Sequence, residues 1–254
     1  MKGLDRFKAH FSGCEHQYVL IGGAACDVVM DDAGLDFRAT KDLDIVLIVE
    51  AIDAAFAARF WSFVEEGGYE QREKSGGGKE FYRFQKPVHP DFPAMLELFA
   101  RAPDAIRVAD GSTLTPLPID ESIASLSAIL LDETYYACLV ARRRRIDGVS
   151  VLDERLLIPF KAKAYLDLLR RKADGEAIDS RNIKKHRSDV FRLLRLLPGD
   201  ERVELPADVA ADVGRFADAV SADESFSPKE IGLPGNAPAS IARLRAAYGL
   251  ASPP

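Results

Sequence analysis

Two aspartates, Asp42 and Asp44, sit one residue apart where RATKD runs into the apolar stretch LDIVLIV. Side chains in a strand alternate between faces, so these carboxylates project to one side while Leu43 and Ile45 point to the other. Burying unpaired charge costs several kcal/mol, so the pair implies either a solvated strand end or a cation. A hard ion such as Mg²⁺ prefers such oxygen ligands. A third carboxylate on a neighbouring strand would complete a site, and Glu97 in AMLELFA, apolar on both sides, is the strongest candidate. Asp91 and Asp104 lie in bends and are weaker.

A second feature lies upstream. The apolar stretch YVLI, Tyr18 to Ile21, breaks on Gly22-Gly23 and opens into AACDVVMDDA, which reads as a helix. A strand that turns on two glycines into a helix presents bare backbone N–H groups and a helix dipole, both favourable to phosphate. Taken alone, Asp42 and Asp44 have a bland reading as a strand cap and a solvated side chain, with Glu97 paired to an arginine. The glycines ahead of them favour the phosphate and metal chemistry.

The elements that must position these residues follow from periodicity. Residues 4–16 read as a short helix, 18–21 and 43–49 as strands, and 52–67 as a helix closed by Gly67-Gly68. Strands are expected around 69–73 and 80–85, joined by a flexible SGGGK turn, and again at 94–100. SGGGK lacks the spacing of a phosphate loop and stands between strands. Further on, ESIASLSAILL reads as a helix and YYACLVARRRRIDGVSVL as strand, Asp147-Gly148 turn and strand. Beyond that the pattern is helical. The expected fold class is α+β: a mixed sheet with flanking helices over 1–118, then a mainly helical domain over 119–254 carrying a β-hairpin near 135–152.

Composition narrows the function classes. The 254 residues are 47% hydrophobic and 29% charged with a net charge of -6, a soluble globular balance that argues against a general nucleic-acid coat protein. Three cysteines without C-x-x-C spacing and four scattered histidines do not suggest a disulfide or zinc framework. No run is long and apolar enough to span a bilayer, and the start has no secretory signal, so a cytoplasmic protein without membrane partners is expected. Charge is uneven: residues 161–195 hold eleven Lys and Arg against five Asp and Glu, a basic region suited to phosphate or to solvent. The run Arg142 to Arg145 fits an RNA backbone, an acidic partner or a solvated hairpin; in a strand only two of the four would share a face.

The ordered pattern of strand, Gly-Gly, helix and R-x-T-x-D-L-D resembles the nucleotidyltransferase fold of DNA polymerase beta-like enzymes, and more narrowly the AbiEii/AbiGii abortive-infection toxin family. Gly22 and Gly23 match its glycine pair, Arg38, Thr40, Asp42 and Asp44 its R-x-T-x-D-x-D motif, and Glu97 its third carboxylate. Lys161 in LIPFKAKAYL and the stretch KKHRSD, with Lys185 and Asp189, are similar to its downstream motifs. Lys185 and Asp189 also lie four apart, where they can pair with each other. Ala24 departs from the serine that many nucleotidyltransferases carry after the glycines, and the tail beyond Leu197 matches no motif.

The resemblance implies an enzyme using two Mg²⁺ ions and a nucleoside triphosphate. Asp42, Asp44 and Glu97 would be catalytic metal ligands, and Gly22, Gly23, Arg38, Thr40, Lys161, Lys185 and Asp189 would bind nucleotide. A nucleoside monophosphate would pass to a hydroxyl, on tRNA or a protein, in the manner of a toxin with a cognate antitoxin. The alternatives are a catalytically silent nucleotide-binding or regulatory module, and a small-molecule, antibiotic-type nucleotidyltransferase.

Overall fold

Tyr18–Ile21 forms β1 and is buried along its whole length, which its four apolar side chains permit. In the computed structural model the described residues are 1–48, 50–70, 81–99, 129–130 and 132–251. The expected strand segment 71–73, the SGGGK turn, most of the helix at 121–131 and Asp104 lie outside them.

The chain divides into two compact units, Met1–Ile119 with Leu139–Asp153, and Asp120–Cys138 with Glu154–Pro254. The first holds a mixed six-stranded sheet. Its remaining strands are β2 (Asp42–Leu47), β3 (Phe81–Gln85), β4 (Met95–Phe99), β5 (Arg143–Ile146) and β6 (Val149–Leu152), in the order β3-β4-β2-β1-β6-β5. β2 runs antiparallel to β1 and parallel to β4, while β6 runs parallel to β1.

Among the described residues this unit contains the helices α1 (Leu4–His10), α2 (Gly22–Asp32) and α3 (Ala54–Gly67). The helical spacing of Phe56, Phe60 and Phe63 puts all three in the core. Asp53 caps α3 by accepting from the Phe56 N–H at 2.8 Å, and Gly68 ends it in the left-handed region at φ 61°. Phe7 of α1 meets Tyr18 and Phe63 edge-on, with ring centroids 5.3 and 5.8 Å apart. This aromatic layer fixes the sheet face occupied by Tyr18.

Two expectations are corrected. YYACLV is not a strand; it lies in helix α4 (Glu133–Ala141). Asp132 explains the difference, because its carboxylate accepts from the backbone N–H groups of Thr134 and Tyr135 and starts the helix despite the β-propensity of the tyrosines. The hairpin is therefore only Arg143–Leu152. It was expected in the helical half, yet it completes the sheet of the first unit through β6 and β1. Strand pairing over that sequence distance leaves no periodic signal.

The second unit contains α5 (Glu154–Ala173), α6 (Ser180–Leu193), α7 (Ala207–Ser221) and α8 (Ala237–Ala247). Pro159 lies inside α5 and cannot donate to the Arg155 carbonyl four residues earlier. The Tyr248 hydroxyl donates to that carbonyl instead, at 2.9 Å. Among the described residues no helix is long and apolar enough to cross a membrane.

Candidate functional site

Gly22 is where the strand ends and the helix begins, and its φ of 66° is a conformation that side-chain-bearing residues rarely adopt. The space for a side chain is also taken: a Cβ there would lie 1.7 Å from Asp44 Oδ2. The antiparallel register explains the approach, since Ile21 of β1 stands opposite Asp44 of β2. Asp44 thus lies against the first turn of α2, and the Gly23 N–H points to its Oδ2 at 3.4 Å. The chain between α2 and β2 returns to the same place. A Cβ on Gly23 would meet Thr40 Oγ1 at 2.5 Å and Arg38 Nη2 at 3.6 Å. Gly22, Gly23, Arg38, Thr40 and Asp44 therefore gather around one helix N-terminus.

The parallel register of β2 and β4 sets Asp44 directly beside Glu97, and Asp42 beside Met95. Alternation then places Asp42, Asp44 and Glu97 on one sheet face. Asp44 and Glu97 are nearly buried, whereas Asp42, the first residue of β2, is half-buried. Burial first, then the Asp44 carboxylate and a hydrogen bond with it, push the Glu97 carboxyl up to about 10 from its ordinary 4.5.

Arg83 is the residue that motif reasoning missed. It stands opposite Glu97 in β3 and donates from Nε at 2.9 Å and Nη2 at 2.6 Å, both to Glu97 Oε1. Its only signal in the sequence is a charge interrupting the apolar FYRFQ. The reading in which Glu97 pairs with an arginine describes this contact.

An all-oxygen donor set on one face, beside a backbone position with no room for a Cβ, suits a hard divalent cation. As the side chains stand, no three acidic, thiol or imidazole groups among the described residues are gathered to hold a metal. Asp44 and Glu97 are brought together as strand neighbours, and Asp42 is not gathered with them into a three-acid set.

Lys161, Lys185 and Asp189 belong to the second unit. Lys161 Nζ lies 3.3 Å from Asp189 Oδ2, and both side chains are buried. Asp189 is also 3.4 Å from Arg192 Nη1, while Lys185 is exposed on α6. In the arginine run, Arg145 pairs with Glu15 at 2.8 Å and Arg142 lies 3.9 Å from Asp153.

No protein-family model matches this chain, and no curated protein matches it.

Proposed function

We propose that the first unit is the catalytic unit of a Mg²⁺-dependent nucleotidyltransferase that passes a nucleoside monophosphate from a nucleoside triphosphate to a hydroxyl. The observation that carries this reading is the Gly22–Asp44 contact, which sets an acidic metal ligand against a bare helix N-terminus. That juxtaposition suits an anionic phosphate chain and a cation at one point.

In this reading the Gly23 N–H and its neighbours in the first turn of α2 receive the distal phosphates. Arg38 and Thr40, close to Gly23, offer a fixed cation and a hydroxyl to the same anion. Asp42 and Asp44 would hold the metal, and Glu97 would join them once its proton is released. Bound Mg²⁺ supplies charge neutralisation on the phosphates and acidifies the acceptor hydroxyl. The acceptor class remains tRNA or protein hydroxyl, and toxin action with an antitoxin partner follows only if one of these is modified.

Incubation with each labelled nucleoside triphosphate, Mg²⁺ and total RNA or total protein tests the proposal. Label transferred by wild type and lost in Asp44→Asn supports it. Tight Mg²⁺–nucleotide binding with no transfer to any acceptor would favour the nucleotide-binding module.

A further inference from the structure

Arg83 donates from Nε and Nη2 to a single carboxylate oxygen, Glu97 Oε1. The pair lies almost out of water, with side chains 13% and 9% exposed, so its mutual attraction is weakly screened. Glu97 also faces Asp44 across the parallel register, and Asp42 shares that face. A guanidinium here sets a positive charge beside the neighbouring Asp44 and Glu97 carboxylates, and it occupies an oxygen that a metal ion would need.

We infer that Arg83 is an internal counter-cation of the acidic site, exchanging with a divalent ion for Glu97, and so acts as a positioning residue that sets metal affinity. The inference rests on the metal-site reading of Asp42, Asp44 and Glu97. It goes beyond that reading by assigning a role to a basic residue outside the matched motif. In the metal-free protein Arg83 holds Glu97 in place. When a cation enters, Glu97 Oε1 turns from the guanidinium towards Asp44, and the arginine charge is left opposing the ion. A unit charge about 6 Å from a divalent ion changes affinity about tenfold even in a water-like dielectric, and by more where water is excluded.

Isothermal titration with Mg²⁺ alone, and with Mn²⁺ alone, on wild type, Arg83→Gln, Arg83→Lys and Asp44→Asn decides the matter. Arg83→Gln should bind either ion more tightly than wild type by at least about tenfold, with a larger rise in melting temperature on metal addition. Arg83→Lys keeps the charge but loses the two-donor fork, so its affinity should fall between the two. If Arg83→Gln does not fold, Arg83→Lys carries the comparison alone. Equal or weaker metal binding in the variants, with wild type binding, overturns the exchange role and leaves the metal site standing. A wild type that binds neither ion, or an Asp44→Asn that binds as wild type does, overturns the metal-site reading itself.

Discussion

Asp44 and Glu97 face each other as direct neighbours on the parallel strands β2 and β4, separated in sequence by α3 and β3. Each is nearly buried, and the space between them is governed by Gly22 on one flank and Arg83 on the other. Asp44→Asn keeps the shape and removes one charge from this pair. The proposed nucleotide transfer should fall by about 10²-fold or more, while the metal-free protein melts at the same or a higher temperature because repulsion with Asp42 is relieved. Paired transfer assays and thermal melts check both halves.

The raised Glu97 carboxyl sets a direction for pH dependence. Unfolded, the group titrates near 4.5, and folded it holds its proton to about 10. Between these values the native state binds more protons, so its contribution to stability is fully present below about pH 4.5 and is lost as pH rises towards 10. Melting temperatures across pH 5 to 9 without metal should decline more steeply for wild type than for Glu97→Gln. Parallel slopes would show that Glu97 is not the group responsible.

Gly22→Ala combines an unfavourable φ with a collision against Asp44 Oδ2. Gly148→Ala, at φ 78° in the β5–β6 turn, meets nothing within 4 Å. The turn substitution should cost about 1–2 kcal/mol, the penalty of the left-handed backbone alone, and the Gly22 substitution clearly more. Urea denaturation of the two variants separates steric from conformational cost.

Asp189 is fully buried and serves both Lys161 and Arg192. Asp189→Ala leaves a buried ammonium without this counter-charge and should cost about 3–5 kcal/mol. Combining it with Lys161→Met should recover much of the loss, measured as a double-mutant cycle in urea. A strictly additive cycle would mean the two charges do not support each other.

Tyr248→Phe removes the hydroxyl that serves the Arg155 carbonyl bared by Pro159. The expected cost is about 0.5–1.5 kcal/mol, the net worth of one hydrogen bond. The companion Pro159→Ala restores the helical donor, and in that background Tyr248→Phe should cost measurably less.

Some of this was set by the residues alone. Alternation decides that Asp42 and Asp44 share a face, because a strand has a period of two whatever surrounds it. Gly22 and Gly23 mark the strand-to-helix turn for an equally local reason: only glycine takes the φ that Gly22 adopts without strain. The Phe56, Phe60 and Phe63 stripe likewise gives α3 its buried side. Other relationships needed the tertiary structure. Asp44 meets Glu97 because β4 pairs parallel to β2, and register between strands 50 residues apart is a global outcome of packing. Arg83 reaches Glu97 through the same sheet, with no motif to announce it. The hairpin Arg143–Leu152 joined the first sheet through a pairing between β1 and β6, and Asp132 turned a β-like tyrosine run into helix by one local cap. Lys161 and Asp189, on different helices, became an ion pair because both were buried, where each charge requires the other. Local stereochemistry belongs to the sequence; the choice of partner belongs to burial and strand order.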